Sequence, residues 1–265
     1  MTKLGVVAGG GELPIAIAKA YAKPSEVYVV ALKNYADIES FTGFNTSEFN
    51  IGNIGKILKY FESNGVKNLV IAGIVKRPNL SDLSVDMKGA ILLSKIIATK
   101  FLGDDALLKI MANYIESHGF AIKSPLEYMK SNDSIKTKRT PNRQNYSDIE
   151  YGILAAKKLG ELDIGQAVII ENGLVLGVEA AEGTDELIAR SSNYRKTENT
   201  AVLVKMIKPK QDERLDVPVI GVDTVTNAAS AKMAGIAVQK DKVIIIDPET
   251  VVEAADRAKI FVHLF

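Results

Sequence analysis

The sequence predicts an α/β protein built from two domains. Short apolar runs typical of strands alternate with segments in which apolar residues recur at helical spacing, which indicates a parallel sheet covered by helices. A polar stretch then interrupts the pattern, and a β-hairpin signature follows it. The chain of 265 residues is long enough for two domains of ordinary size. We expect a Rossmann-like N-terminal domain over residues 1–130, a linker over 131–148 and a mixed α/β C-terminal domain over 149–265.

The N-terminal half contains a repeated strand and helix pattern. Its first apolar run leads through a glycine turn into a helix, and Asn53 is placed to cap a later helix with apolar residues at helical spacing. The strands are predicted over residues 4–8, 27–32 and 68–75, and the helices over 13–22, from 54 onward, over 86–100 and over 105–117.

The C-terminal half has a different pattern. The polar residues 130–148 contain Pro141 and few aliphatic side chains, which is typical of a linker. An Asn172-Gly173 turn between two apolar runs predicts a hairpin. The further predictions are helices over 149–159, from 183 or 184, over 225–234 and from 248, and strands over 166–170, 174–178, 201–207 and 243–246.

Composition limits the chemistry of the chain. It has no cysteine and only two histidines, so thiolate chemistry is excluded and a bound metal would be a hard cation on oxygen ligands. The net charge of +1 gives no general field for nucleic acid, and we expect no nucleic-acid partner. We expect no signal peptide before the first strand, and no apolar run reaches the roughly 18–20 residues that span a bilayer. We expect a cytoplasmic protein, with peripheral contact at the inner membrane as its only membrane association.

A glycine turn joins the first strand to the first helix. Glycines let a ligand approach the backbone and a helix N-terminus favours a phosphate, so Gly10 and Gly11 are candidate substrate-binding residues. The alternative is a tight turn that binds nothing. A dinucleotide-binding turn would need glycine where Pro14 stands, and no acidic residue closes the second strand.

Two further N-terminal candidates lie at the ends of elements. Lys76 follows the strand at residues 68–75, where ligands bind in open α/β sheets, and a solvated strand end explains it equally well. Asp105 stands at a predicted helix start, where an acidic residue either stabilises the helix terminus or binds a ligand.

Four carboxylates fall within residues 179–186, directly after an apolar run. Glu179 ends the predicted strand, so we expect its carboxylate to be partly buried and to have a partner, which is a cation, a metal or a hydrogen-bond donor. The cluster suits a metal or a polar ligand. The alternative is a helix that Thr184 caps, with the acidic residues of its first turn stabilising the N-terminus and Glu182 facing water.

Cations and one isolated aspartate follow. Residues 205–214 contain several cations that repel one another unless an anion is bound, although a mobile basic loop is equally compatible with the spacing. Asp223 lies at a helix start after an apolar run, where it either caps the helix or holds a metal. Mg²⁺ commonly takes only one or two protein carboxylates and fills its octahedron with water and substrate phosphate.

Eight segments occur in a fixed order: GGGELP, AGxVxRP, GDDALL, DIxxG, LGxxDxGQAV, EAAEGTD, VLVKxxKPxQDxRxDxPxIGxDT and AGIAV. Together they resemble the UDP-2,3-diacylglucosamine pyrophosphatases of lipid A synthesis, the type unrelated to calcineurin-like metallophosphoesterases. The resemblance extends from the first strand to the last helix and is weakest in the linker. It implies two domains that enclose the substrate, and Mg²⁺-dependent hydrolysis of a UDP-sugar to UMP and 2,3-diacylglucosamine 1-phosphate.

The resemblance also implies that Asp223 is essential for turnover. We predict that Asp223 holds Mg²⁺ or activates water, and that Glu179, Glu182 and Asp185 complete the inner or outer shell of the metal. The predicted substrate-binding residues are Gly10, Gly11, Lys76, Asp105, Gly183, Thr184, Asp185, Lys205, Lys208, Gln211, Arg214 and Thr224. Two rival functions are an NAD-dependent oxidoreductase and a non-catalytic nucleotide-sugar or lipid-binding protein. The missing acid after the second strand argues against the first, and the acid cluster argues against the second.

Overall fold

Five strands of the N-terminal half form one parallel sheet. They are β1 (Leu4–Ala8), β2 (Val27–Leu32), β3 (Asn45–Phe49), β4 (Asn68–Ala72) and β5 (Ala121–Ile122), in the spatial order β3-β2-β1-β4-β5. In the centre Val6 pairs with Val29 on one side and Val70 on the other. This is the strand order of a Rossmann sheet, so the prediction for the N-terminal half is confirmed.

The computed structural model describes residues 2–76, 79, 83–99, 103–129 and 135–265, with Asp104 by its backbone alone. They divide into two compact units. Unit 1 contains Met1–Met129 and Asp212–Asp216, and unit 2 contains Lys130–Gln211 and Val217–Phe265. None of the helices among these residues combines the length and the apolarity needed to cross a membrane.

Unit 1 has four α-helices among its described residues: α1 (Leu13–Ala20), α2 (Ile54–Ser63), α3 (Met87–Ala98) and α4 (Asp104–Glu116). Ile57, Leu58 and Phe61 of α2 are buried, as their helical spacing predicts. They pack in a core with Leu69 of β4 and with Leu215. Since Leu215 belongs to the segment Asp212–Asp216, a short piece of the C-terminal sequence is part of the core of unit 1.

Unit 2 is built on a second five-stranded sheet. Its strands are β6 (Ala167–Glu171), β7 (Leu174–Val178), β8 (Val202–Lys205), β10 (Gly235–Val238) and β12 (Phe261–Leu264), in the order β12-β10-β8-β6-β7. Strand β6 is antiparallel to β7 and β8, and the other pairs are parallel. Strands β9 (Val219–Ile220) and β11 (Ile244–Ile245) form a separate parallel pair. The predicted mixed α/β unit is therefore confirmed.

Helices cover both faces of this sheet. Helix α5 (Arg143–Glu161) packs on one face, and α6 (Thr184–Ser191), α7 (Val222–Ser230) and α8 (Pro248–Ala258) pack on the other. Successive residues of β8 point to opposite faces, so Leu203 joins the core under α6 to α8 and Val204 the core under α5. The predicted hairpin is present, with positive φ angles of 49° at Asn172 and 79° at Gly173.

Helix α5 begins earlier than the sequence predicts. It starts at Arg143, not at residue 149, because Asn142 and Asn145 cap each other: the Asn145 N–H donates to Asn142 Oδ1 at 2.8 Å and the Asn142 N–H to Asn145 Oδ1 at 3.1 Å. Residues 143–148 of the predicted linker are thus helical. The first turns of this helix consist mostly of polar residues, so apolar periodicity does not predict them.

The described residues before α5 are also attached to unit 2. Ile135 is buried in the core of that unit. The Lys138 N–H donates to Asp256 Oδ1 at 2.6 Å, and the Arg139 guanidinium donates to the carbonyls of Lys259 and Asn199 at 2.9 and 3.1 Å. This segment is therefore held along the unit by polar contacts, which composition alone does not reveal.

Two further elements, β4 and α7, differ from their predicted bounds by three residues or more, and both differences depend on backbone conformation. Strand β4 ends at Ala72, not at residue 75, because Gly73 has a φ of 94° and turns the chain. Helix α7 begins at Val222, three residues before the predicted start, and the chain leaves it through Lys232, whose φ is 51°. The apolar pattern predicts neither the polar edge strand β3 nor the strands β10 and β12.

Candidate functional site

The candidate site lies at one edge of the sheet of unit 2. Strands β7, β8 and β10 run parallel to one another, so their carboxyl ends meet at the same edge. Glu179 directly follows β7, and Lys205 is the last residue of β8. Strand β9 ends beside them, because Lys205 Nζ lies 2.9 Å from the carbonyl oxygen of Val219. This edge of an open α/β sheet is where ligands generally bind.

Glu179 and Lys205 are connected through the hydroxyl of Thr184. Thr184 Oγ1 donates to Glu179 Oε1 at 2.5 Å, and Lys205 Nζ donates to Thr184 Oγ1 at 2.8 Å. Glu179 Oε2 accepts from the backbone N–H of Gln166 at 3.0 Å. Glu179 and Lys205 are 5% and 6% exposed. The prediction that Glu179 is buried and has a partner is therefore confirmed, and its partners are hydrogen-bond donors.

Glu182 is engaged in an ion pair. Its Oε1 accepts from Arg190 Nε at 3.1 Å and from Arg190 Nη2 at 2.6 Å. The backbone N–H of Glu182 itself and the Arg190 guanidinium hold the pKa of this carboxyl below its usual range. Gly183 follows with a φ of 83°, a left-handed conformation that favours glycine, and α6 begins at Thr184.

Asp223 lies in the first turn of α7, just after β9 and Gly221. It is exposed, and its carboxylate has no hydrogen-bond or ion-pair partner within the part of the chain that the structure describes. The next residue, Thr224, is 8% exposed, and its hydroxyl accepts weakly from the Gly221 N–H at 3.5 Å. The Asp223 carboxylate therefore does not cap the helix, and its oxygens are accessible to a ligand or a cation.

Asn227 links this helix to the acidic stretch. It lies four residues after Asp223, so the two side chains share one face of α7. Its Nδ2 donates to Asp185 Oδ1 at 2.9 Å in the first turn of α6. Two carboxylates and an amide thus lie along neighbouring helix starts. The sequence predictions omitted Asn227; its i+4 spacing from Asp223 would have indicated it once α7 was placed correctly.

The three predicted metal ligands are not brought together. Glu179 accepts hydrogen bonds on both oxygens, Glu182 binds Arg190, and no group of three or more His, Asp or Glu able to hold a metal occurs among the described residues. The predicted metal set of Asp223, Glu179 and Glu182 is therefore not formed. Asp223 and Asp185 supply oxygen donors of the kind that Mg²⁺ prefers, and Mg²⁺ needs only one or two protein carboxylates when water and phosphate complete its shell.

The cations after β8 have partners within the protein. Lys208 Nζ lies 2.5 Å from Asp163 Oδ1, and its backbone N–H donates to Gln211 Oε1 at 3.0 Å. Lys205 is buried and holds Thr184 and Val219. Lys205 and Lys208 therefore both make contacts that hold unit 2 together. These contacts differ from the mobile basic loop that the sequence spacing also allowed.

Arg214 and Asp105 lie in unit 1. The Arg214 guanidinium donates to Asp212 Oδ1 and Oδ2 at 3.0 and 2.7 Å and to Glu116 Oε1 at 2.8 Å. Asp105 binds Lys109 at 2.6 Å and accepts weakly from the Asp212 N–H at 3.4 Å. These contacts attach the segment Asp212–Asp216 to α4, so a structural role accounts for both predicted binding residues.

The glycine turn of unit 1 is closed by the chain that follows β4. The Gly10 N–H donates to the Ile74 carbonyl at 2.9 Å, and the Ile74 N–H donates back to the Gly10 carbonyl at 2.8 Å. This bridge lies where β1 and β4 adjoin, the switch point of a Rossmann sheet. The Gly10 N–H, which a pyrophosphate would need as a donor, is therefore already bonded to the Ile74 carbonyl, and this argues against dinucleotide binding at the turn. Gly11 and Lys76 are exposed beside it.

Two models of protein families match the sequence. The LpxI N-terminal domain matches residues 3–132, and the LpxI C-terminal domain matches residues 132–263. The chain belongs to the LpxI family. The resemblance inferred from the eight ordered motifs is thereby confirmed, and the LpxI models extend over both halves of the sequence.

An LpxI protein is also among the curated relatives. The UDP-2,3-diacylglucosamine pyrophosphatase LpxI of Caulobacter vibrioides is 36% identical over 272 residues, which cover 99% of this chain and 97% of the relative. A solved structure, CobK precorrin-6A reductase, is 14% identical, with a TM-score of 0.32 over 100% of this chain and 87% of that one. That structural likeness is too low to inform the function of this LpxI-family chain.

Proposed function

We propose that the protein hydrolyses the diphosphate of UDP-2,3-diacylglucosamine to UMP and 2,3-diacylglucosamine 1-phosphate in lipid A synthesis. The observation that carries the proposal is the 36% identity, across 99% of this chain, to a relative named for action on that substrate. The protein would work in the cytoplasm. Because the substrate is acylated, we further propose contact with the inner face of the cytoplasmic membrane.

Asp223 is the catalytic carboxylate of this proposal. Its exposure, its place after β9 and the absence of a partner among the described residues leave its oxygens available to water or to Mg²⁺. A diphosphate resists attack because its oxygens repel a nucleophile, so a carboxylate that orients or deprotonates the attacking water accelerates the reaction. The N-terminus of α7 adds a favourable field for anionic phosphate beside this side chain.

Mg²⁺ would be held by Asp223, with Asp185 as its neighbouring carboxylate, and by the phosphates of the substrate. When bound, Mg²⁺ neutralises charge that develops on the phosphoryl oxygens. The protein's own contribution is to fix the carboxylate: Lys205 holds the carbonyl of Val219, four residues before Asp223, and ties it to Thr184 at the start of α6. Lys205 and Thr184 are therefore positioning residues in this proposal, and Gly183 provides the turn between the acidic stretch and α6.

One experiment separates this proposal from its rivals. Purified protein is incubated with UDP-2,3-diacylglucosamine and Mg²⁺, with and without EDTA, and UMP is measured. We expect UMP with Mg²⁺ and its loss with EDTA. UMP formation that EDTA leaves unchanged would contradict the metal requirement. Binding of the substrate without any UMP would support a non-catalytic binding protein and contradict the proposal.

A further inference from the structure

Helix α3 has an apolar face that no part of the described chain covers. Within this helix, Gly89 and Leu92 are buried and form its inner side. On the opposite side Met87, Ile91 and Ile97 are 82%, 46% and 58% exposed. A surface helix of a globular protein normally places charged residues there. An outward face with three large apolar side chains is typical of an interaction surface.

The charges of α3 lie at the margin of this face. The helix contains Lys88 and Lys95 and no acidic residue. The two lysines are seven residues apart, so at about 100° per residue they lie on the same flank. The N-cap residue Asp86 directs its carboxylate to the backbone N–H groups of Gly89 and Lys56, at 2.8 and 2.9 Å, and away from the apolar face.

This arrangement matches a helix that lies in the plane of a membrane surface. Such helices insert an apolar face to the depth of the acyl boundary, and lysines beside that face contact anionic headgroups. We propose that the outer face of α3 docks the protein on an anionic lipid bilayer. The proposal rests on the membrane contact proposed above and assigns it to a specific surface.

Vesicle binding tests the surface directly. The double variant Met87→Asp/Ile91→Asp is compared with wild type in sedimentation with vesicles of phosphatidylglycerol and phosphatidylethanolamine, and with vesicles of phosphatidylcholine alone. We expect wild type to bind the anionic vesicles more tightly, and the variant to bind them about tenfold or more weakly, because it loses the burial of two apolar side chains. Lys88→Gln should weaken binding by about fivefold, and Lys95→Gln by less, because the Lys95 ammonium lies 5.3 Å from the centre of the Tyr114 ring.

A matched control comes from unit 2. Leu162 and Leu174 are 72% and 49% exposed, close to the exposure of Met87 and Ile91. The double variant Leu162→Asp/Leu174→Asp removes a similar apolar area elsewhere and should bind vesicles as wild type does. Because the affected side chains are exposed in both variants, both should keep the circular dichroism spectrum of wild type.

A fluorescent reporter adds the depth of insertion. The chain contains no tryptophan, so Met87→Trp introduces a single indole. Its emission should shift to the blue with anionic vesicles and be quenched by lipids brominated on their acyl chains, whereas Leu162→Trp should show neither effect.

The outcomes are distinguishable from those of the proposed activity. If wild type forms UMP but binds no vesicles, the membrane contact and this proposal are both wrong while the activity stands. If the Met87→Asp/Ile91→Asp variant binds vesicles like wild type, the surface is wrong. Two other results would also contradict a membrane-docking role for this face. In the first, the variant retains vesicle binding but has a raised KM for detergent-dispersed substrate. In the second, the variant retains vesicle binding but is a monomer where wild type is a dimer.

Discussion

The ammonium group of Lys205 donates a hydrogen bond to the hydroxyl of Thr184 at 2.8 Å, in a region where both partners are largely shielded from water. The same hydroxyl donates to Glu179, so one threonine connects a buried cation and a buried carboxylate. Removing one member of such a network leaves the others buried and unsatisfied, and this costs more than the bond itself. The stability of unit 2 should therefore depend on this hydroxyl.

Thr184→Val removes the hydroxyl with little change of shape. We expect the free energy of unfolding to fall by about 1–3 kcal/mol, because Glu179 and Lys205 each lose a hydrogen bond in a buried setting. Urea unfolding followed by circular dichroism measures this. Thr184→Ser retains the hydroxyl and should lose less. Equal stabilities of wild type and Thr184→Val would show that the network contributes nothing.

Arg214→Ala tests the attachment of the segment Asp212–Asp216 to unit 1. The guanidinium binds Asp212 and Glu116, but the Arg214 side chain is 41% exposed, so we expect the free energy of unfolding to fall by only about 1 kcal/mol. The midpoint of thermal unfolding measures the effect. Lys59→Ala removes an exposed cation of the same unit and serves as the control. A destabilisation no greater than that of Lys59→Ala would contradict the structural role of Arg214.

Glu171 should make stability depend on pH in the acid range. It is buried; burial opposes its ionisation, but hydrogen bonds from Thr200 Oγ1 and the backbone N–H groups of Lys196 and Thr197 outweigh burial and lower its pKa. The unfolded chain therefore takes up a proton more readily than the native protein. The stabilisation from ionised Glu171 is full above the unfolded-state pKa and is lost as pH falls through the lower native pKa.

The measurement is the free energy of unfolding of wild type and Glu171→Gln from neutral pH into the acid range. At neutral pH the variant should be less stable, and the difference should shrink as the pH falls. Glu253→Gln, which changes an exposed glutamate of the same unit, is the control. A difference that stays constant with pH would contradict this role of Glu171.

The sequence was sufficient where a local pattern decides the structure. Strands β1 and β2 occupy the predicted residues because each is a continuous apolar run buried in a parallel sheet. Strands β5, β9 and β11 have two residues each and depend on the neighbour with which they pair. Such short pairings leave no periodicity to detect.

In the candidate site, too, the sequence predicted local features but not the contacts between distant residues. The place of Glu179 after an apolar strand predicted its burial, but its partner Thr184 and the cation behind it are brought together by tertiary packing. The spacing of the acidic residues did not reveal that Glu182 has a partner, because Arg190, eight residues further on, binds that carboxylate. Opposite charges at that separation form a pair only when the turn before α6 brings them together.

The catalytic role of Asp223 is tested most directly by the kcat of Asp223→Asn for UDP-2,3-diacylglucosamine. Glu249→Gln is the matched control, since Glu249 is also an exposed acidic residue in the first turn of a helix of unit 2. We predict that Asp223→Asn folds normally and loses about 100-fold or more in kcat, while Glu249→Gln turns over like wild type. Folded Asp223→Asn that forms UMP at the wild-type rate would contradict the catalytic role of Asp223.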